Sequence, residues 1–363
     1  MRVPELVLAS RGSRLALAQS QWVRARLLER FSDLSVRIET FVTKGDRMLD
    51  VTLAKIGGKG LFIKEIEEAL LRRQADFAVH SMKDVPAALP PGLSIVAVPP
   101  RASAYDVLIT RDGRTLEDLP RGAVIGTSSL RRAVLLRRLR PDLVVEPLRG
   151  NVDTRLRRLL DGDFDAVVLA SAGLSRLGLT GRGRGTSDAI EPDIDASEPI
   201  EARLGGSGAI EPGAGGQDRP IADPSRWTAV ALDPEVFIPA VGQGALGIEA
   251  REEDAAVIER LRALDDEPTR RAVAAERAFL ARLAGSCHVP IGAHAAVLAD
   301  GRVTLSGFVA TPDGEAFLSD TLSGLSPDVG TALAERLIAR GANEIIARFG
   351  MPEAAGEDAD GRD

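Results

Sequence analysis

An α/β fold of two similar lobes around a cleft, followed by a smaller α+β unit with a three-stranded antiparallel sheet, is predicted for this 363-residue chain. Three observations predict it. Apolar runs alternate with amphipathic stretches through the first two thirds, as strands and helices do in open α/β sheets. A block of strand, hydroxyl-rich loop and helix occurs twice. After Pro268 the pattern changes to one helix and then three strand-like runs, parted by Ala-Asp-Gly at 299–301 and Pro-Asp-Gly at 312–314.

The elements follow in order. Leu6–Ala9 is apolar enough for a strand, and Ser10-Arg11-Gly12-Ser13 makes a loop. Ser13 suits the N-cap of a helix from about Leu15 to Phe31, because its hydroxyl can accept from a first-turn amide. Val36–Val42 is the next strand. Phe62, Ile66, Ala69 and Leu70 mark one face of a helix, and Ala75–His80 is a strand ending in Ser-Met-Lys-Asp. Val124-Ile125-Gly126 then leads through Thr127-Ser128-Ser129 into an Arg-bearing helix from about Leu130, echoing the first block. Asp165–Val168 with Ser171 echoes Asp76–Val79 with Ser81. In such sheets ligands sit beyond the carboxyl ends of the strands, where both hydroxyl-rich loops and the Lys83-Asp84 pair fall. Thr269–Ala284 is helical and Gly285 ends it. Ser326-Pro327 starts the last predicted helix, with proline at its first position. The expected division is two α/β domains, 1–100 with 240–263 and 101–239, and a third over 264–363. Residues 181–225 are rich in Gly, Pro, Ser, Asp and Glu and lack periodicity, which predicts a disordered acidic insertion.

Composition narrows the function. Hydrophobic residues are 44% of the chain, enough for real cores, and the net charge is −7, which disfavours polyanion binding by the chain as a whole. Aromatics are 4%, too few for a base-stacking nucleic-acid surface. No window approaches the ~20 apolar residues of a membrane span. With one cysteine and no export signature, the expected location is the cytoplasm.

Arginine is concentrated between positions 131 and 158, where nine occur against Asp142, Glu146 and Asp153. A basic cluster in an acidic chain implies a local anionic ligand, and the planar guanidinium suits carboxylates. Arg131 and Arg132 follow Ser128-Ser129 in a first helical turn, and Arg149 and Arg155 flank Gly150-Asn151, beside loop amides that can cradle an anion. Arg137, Arg138, Arg157 and Arg158 fall on solvated helix faces. Lys55 and Lys59 with Gly57, Gly58 and Gly60 form a flexible cationic loop that lacks the spacing of a phosphate loop. Asp84 is placed either for proton transfer and pairing a substrate amine or as a turn residue before Pro86. His80 lies in an apolar strand as a core histidine, and neither His288 nor His294 has metal-like partners. Cys287, the only cysteine, is either a small buried hydrophobe or a sulfur nucleophile or attachment point presented by the turn at Gly285, Ser286 and Pro290.

Together these segments resemble the porphobilinogen deaminase (hydroxymethylbilane synthase) family. The resemblance rests on Ser-Arg-Gly-Ser-Arg-Leu-Ala-Leu-Ala-Gln at 10–19, Val-Thr-Lys-Gly-Asp at 42–46 and Lys-Ile-Gly-Gly-Lys-Gly-Leu-Phe-Ile-Lys-Glu at 55–65. It continues with Val-His-Ser-Met-Lys-Asp-Val-Pro at 79–86, Ile-Gly-Thr-Ser-Ser-Leu-Arg-Arg at 125–132 and Leu-Arg-Gly-Asn-Val-Asp-Thr-Arg-Leu at 148–156. Pro-Ala-Val-Gly-Gln-Gly-Ala at 239–245 and Gly-Ser-Cys-His-Val-Pro-Ile-Gly at 285–292 complete it. These motifs span nearly the whole chain. The departure is the insertion at 181–225, where the family has a short connection.

The resemblance implies two lobes like those of periplasmic binding proteins and a third domain carrying a cofactor. It implies that Cys287 holds a dipyrromethane through a thioether. Four porphobilinogen units are then added in sequence, each expelling ammonia, before linear hydroxymethylbilane is released by hydrolysis. Asp84 matches the catalytic aspartate. Arg11, Ser13, Lys83, Ser129, Arg131, Arg132, Arg149, Arg155 and Arg176 match contacts to cofactor and substrate carboxylates, and Lys55 and Lys59 match an active-site loop. No metal, nucleic acid or membrane is implied. The expected protein is a monomer acting on porphobilinogen and the growing linear oligopyrrole, with product handed to uroporphyrinogen III synthase. The competing readings are a two-lobed binding protein for a small polycarboxylate, which gives no reason for Cys287 or Asp84, and a nucleic-acid binder, opposed by net charge and sparse aromatics.

Overall fold

The computed structural model describes residues 5–43, 63–179, 182–184, 223–283 and 289–350. In chain order these form β1 (Glu5–Arg11), α1 (Arg14–Arg30), β2 (Ser35–Phe41), α2 (Lys64–Leu71), β3 (Phe77–Ser81) and β4 (Leu93–Ala97). The chain then crosses to β5 (Asp106–Thr110), β6 (Val124–Gly126), α3 (Leu130–Leu139), β7 (Val144–Glu146), α4 (Val152–Leu160), β8 (Ala166–Ala170), α5 (Ser171–Arg176), β9 (Arg182–Arg184) and β10 (Thr228–Ala231). It returns as β11 (Leu246–Arg251) and α6 (Ala255–Arg262). It ends in α7 (Glu267–Arg282), β12 (Ile291–Val297), β13 (Val303–Ala310), β14 (Phe317–Gly324), α8 (Asp328–Ile338) and α9 (Ala342–Gly350).

Three sheets result. The first has the order β2-β1-β3-β11-β4, the second β7-β6-β8-β5-β10-β9 and the third β12-β13-β14. The weak repeat in the sequence is a repeat of topology. In each of the first two sheets, three parallel strands meet an antiparallel strand that enters after a crossing, β11 against β3 and β5 against β8. The third sheet is fully antiparallel, as its two Gly turns require. The fold is therefore α/β with a smaller α+β unit, as expected.

Alternation along β3 explains how the first sheet is covered. Phe77 and Val79 face α1 and α6 with Leu8, Val23, Leu27, Ile248 and Leu261. Ala78 faces α2, packing with Ala9, Ile66 and Leu70. His80 shares that second face and accepts or donates to Glu249 Oε2 of β11 at 2.7 Å, both side chains being buried. The core-histidine expectation therefore holds, with a carboxylate as its partner. Two helix details differ from expectation. Pro327 stands just outside α8 as its cap, so the helix begins one residue later on Asp328. Arg137 and Arg138 of α3 do not point only to water. Arg137 donates to the Pro312 carbonyl at 3.1 Å, and Arg138 lies 4.4 Å over the Phe317 ring, so α3 docks on the third sheet.

Glu67 of α2 is also buried against this face, and its Oε1 and that of Glu249 have no hydrogen-bond partner among the described residues. Burial raises the Glu67 carboxyl, Glu249 raises it further, and His80 opposes them. A carboxyl raised in the folded state contributes stability that is complete below its unfolded value and is lost as pH rises through its folded value. Glu67→Gln removes this dependence. The variant should gain thermal stability over the parent as pH rises from about 4.5 through neutrality, near the unfolded carboxylate range. A constant difference at every pH would contradict it.

Candidate active site

Helix starts gather at the carboxyl ends of the parallel strands. Beyond β1, Ser13 caps α1 by accepting from the Ala16 amide at 3.3 Å. After β6, Ser129 caps α3 by accepting from the Arg132 amide at 3.4 Å. After β7, Asn151 caps α4 by accepting from the Thr154 amide at 2.9 Å. Uncompensated amides at such starts favour anions. The two lobes touch here. Arg14 of α1 pairs with Asp153 of α4 at 3.3 Å, and Leu15 packs into the core of the second sheet.

The Lys83-Asp84 pair stands on a single tight helical turn, Met82–Asp84, directly after β3. Met82 is buried and anchors the turn, while Lys83 and Asp84 are exposed. Gln19 Nε2 donates to Ser81 Oγ at 2.8 Å, and the Met82 amide donates to the Ala245 carbonyl at 3.0 Å. Gly242 closes over the turn with φ of +70°. A Cβ there would stand 2.8 Å from Met82 Cβ and 3.2 Å from the Lys83 nitrogen, so no other residue fits.

Lys83 is reached by solvent yet ringed by protein and by like charges. Lost hydration pushes its ammonium down to about 8, Arg132 and Arg131 add to this, and Asp84 and Asp106 oppose it. Arg155 behaves similarly, held at about 10 by burial and then by Arg132. Its Nε donates to the Gly150 carbonyl at 2.8 Å, which fixes the head of α4. Lys83 and Arg155 therefore both sense Arg132, although one belongs to the first sheet and the other to the second.

Arg131 and Arg132 are buried, and both hold Asp106 at the start of β5. Arg131 Nη2 meets Asp106 Oδ2 at 2.7 Å, and Arg132 Nε and Nη2 meet Oδ1 at 3.0 and 2.8 Å. Arg131 also donates to the Ile238 carbonyl and Arg132 to the Val168 carbonyl. Burial alone would raise Asp106, but the two guanidiniums outweigh it and hold the carboxyl below its ordinary range. One carboxylate against two guanidiniums leaves a net positive charge. Arg176 at the end of α5 is buried and donates to the Gly244 carbonyl at 2.7 Å. Arg11 ends β1, and Arg149 precedes Gly150. Lys55, Lys59 and Cys287, with most of 181–225, lie outside the described residues. A cavity of about 330 Å³ lies elsewhere, beside Arg101 and His294.

Sequence reasoning passed over Asp106, Gln243 and Glu276. Gln243 Nε2 donates to the Ala104 carbonyl at 2.6 Å and to Asp106 at 3.1 Å. A signal existed for Asp106, an acidic residue opening an apolar strand that has no other charge. Asp106→Asn leaves two buried guanidiniums without their counter-ion, and roughly 3–5 kcal/mol of stability should be lost. Urea unfolding checks this, and an unchanged midpoint would contradict it.

Comparison with known proteins gives the family. The family described as porphobilinogen deaminase, dipyromethane cofactor binding domain, matches residues 6–211 and 216–259. The porphobilinogen deaminase C-terminal domain matches 270–339. A porphobilinogen deaminase of Brevibacillus brevis is 44% identical over 339 residues, 93% of this chain and 95% of that protein. One from Desulforudis audaxviator is 48% identical over 347 residues, 95% and 97% of the two chains. Among solved structures, a putative periplasmic sulfonate-binding protein from Methylobacillus flagellatus KT aligns over 72% of this chain and 66% of its own. The identity is 11% and the TM-score 0.36, too low to define fold or function. Two family domains covering most of the sequence, and relatives matched almost end to end, establish that this chain belongs to the porphobilinogen deaminase family.

Proposed function

We propose that Asp84 is the proton-handling carboxylate of this chain, that Cys287 anchors a dipyrromethane through a thioether, and that the cations around Lys83 hold pyrrole carboxylates. The chain is a hydroxymethylbilane synthase, a transferase of tetrapyrrole biosynthesis that condenses four porphobilinogen molecules. One observation carries the assignment of residues: Lys83 and Arg155 converge on Arg132 with their charges destabilised, beside an exposed Asp84. Positive charge in excess of its counter-ions is what a polycarboxylate ligand relieves, so a dipyrromethane, with an acetate and a propionate on each ring, fits the donor set.

When bound, the dipyrromethane supplies the pyrrole carbon at which the chain of rings is extended. Arg11, Lys83, Arg149, Arg155 and Arg176, with the hydroxyls and amides at Ser13 and Ser129, bind and orient carboxylates. Arg131 and Arg132 set the positive field from the interior. Lys55 and Lys59 add cationic contacts to the same ligands. Asp84 accepts hydrogen bonds from pyrrole N–H groups and stabilises positive charge as the substrate's aminomethyl C–N bond breaks. The nitrogen leaves as ammonia with a proton added, and Asp84 would take the proton released from the α-carbon of the attacking pyrrole, where the new C–C bond replaces a C–H bond, and pass it to the solvent. The division into 1–100 with 240–263, 101–239 and 264–363 places these groups on two lobes and the anchor on a third domain. A cytoplasmic monomer that hands its product to uroporphyrinogen III synthase completes the reading.

Two measurements test it. Asp84→Asn should retain fold and cofactor while losing most turnover, about 100-fold or more for a general acid–base group, and normal turnover would remove Asp84 from the mechanism. Lys83 should titrate near 8 in cofactor-free protein by pH-dependent amine labelling. It should titrate higher once loaded, because neighbouring carboxylates favour the ammonium. Equal values in both forms would place the ligand carboxylates elsewhere.

A further inference from the structure

Helix α7 runs from Glu267 to Arg282, and five residues after it comes Cys287. One stripe of this helix lies on the chain that carries Asp84. Val273 packs with Met82 and Val85, one on each side of Lys83 and Asp84. Arg277, one turn further along the same face, donates to three consecutive carbonyls. Nη1 reaches Val85 at 3.2 Å, and Nη2 reaches Pro86 at 2.8 Å and Ala87 at 3.2 Å. Burial pushes the Arg277 guanidinium down, and no described carboxylate offsets this. Among the described residues its charge is thus met by backbone dipoles. A fork of planar N–H groups on three carbonyls has one satisfactory geometry, which a flexible ammonium does not reproduce. The preceding residue, Glu276, accepts from the Gly242 amide at 2.6 Å, and Gly242 is the residue that closes over Met82 and Lys83. Neighbouring residues of α7 therefore grip the Asp84 turn from both its flanks.

We propose that Arg277 is a positioning residue for the condensation, fixing the Asp84 turn relative to the helix that leads into the cofactor-bearing cysteine. Every addition requires the end of the tethered chain and Asp84 to meet within hydrogen-bond reach. The tether starts from the third domain and the carboxylate from the first. Arg277, with Val273 and Glu276, ties the turn that carries Asp84 to α7. This inference rests on the assignments of Asp84 and Cys287.

The test uses the full-length, cofactor-loaded enzyme with Arg277→Ala and Arg277→Lys. Intact mass gives the loaded fraction, and quenched-flow mass measurement gives the rate constant for adding the first porphobilinogen within it. That rate constant does not depend on how much protein is folded. Both variants should load the cofactor and keep their KM, while the first-addition rate falls by about 10- to 100-fold, as for an ångström-scale misplacement. Guanidinium ion added to Arg277→Ala should restore part of the rate. If either loaded variant adds its first unit at the parental rate, or if added guanidinium changes nothing, the positioning role is overturned. Should Arg277→Ala fail to fold, Arg277→Lys decides alone, because it keeps the charge and removes only the fork. Asp84→Asn measured beside them separates the two levels. Parental turnover in that variant sinks the catalytic assignment, whatever Arg277 does.

Discussion

The carboxylate of Glu276 joins the three sheets at a single buried charge. It has no exposed surface. It receives Arg101 Nη1 at 2.6 Å and Nη2 at 3.2 Å from the outward crossing, the Gly242 amide at 2.6 Å from the return crossing, and the Ala295 amide at 2.8 Å from β12. A buried anion costs several kcal/mol unless all its lone pairs are met. Four N–H donors meet them only when both crossings and the third sheet occupy their places. Arg101 Nε also donates to the Gln243 carbonyl at 2.8 Å, and the Gln243 side chain continues to Asp106. One polar chain thus runs from the third sheet, through the crossings, to the guanidiniums beneath the site.

The chemistry inherits that order. Asp106 holds Arg132 where its charge reaches Lys83 and Arg155, and Arg131 where its charge reaches Lys83, with both side chains buried. A field built from buried, fixed groups does not reorganise as carboxylates arrive, which is the condition under which electrostatics assists a reaction most. The groups at the surface of the site, Lys83 and Asp84, stand on a turn clamped by Met82, Gly242 and Gln19. Rigid support beneath exposed functional groups is what a tethered, repeatedly extended chain needs, because each addition reuses the same few atoms.

Local features were the legible ones. A hydroxyl residue before apolar periodicity marked Ser13 as a cap, and apolar runs parted by Gly turns marked the third sheet. Each of those signals lies within a few residues of what it specifies. The position of Asp84 alone left it open between proton transfer and a turn residue before Pro86, and only the resemblance favoured the first. Asp106, Glu276 and Arg277 were not legible, since their partners lie 26, 175 and 191 positions away. No periodicity encodes such a pairing. Arg131 and Arg132 show the opposite failure. Their clustering pointed to an anion-binding region, but arginine content alone could not show that both hold a buried aspartate.

A cationic cluster, a carboxylate on a clamped turn and one tethering sulfur are proposed to act together in this chain. The most direct measurement is the intact mass of the purified, denatured protein followed by peptide mapping, with Cys287→Ala alongside. The account predicts an excess equal to two deaminated porphobilinogen units, located on the Cys287 peptide and missing from the variant. An unmodified chain that gains no mass after incubation with porphobilinogen, or an adduct mapped to another residue, would contradict it.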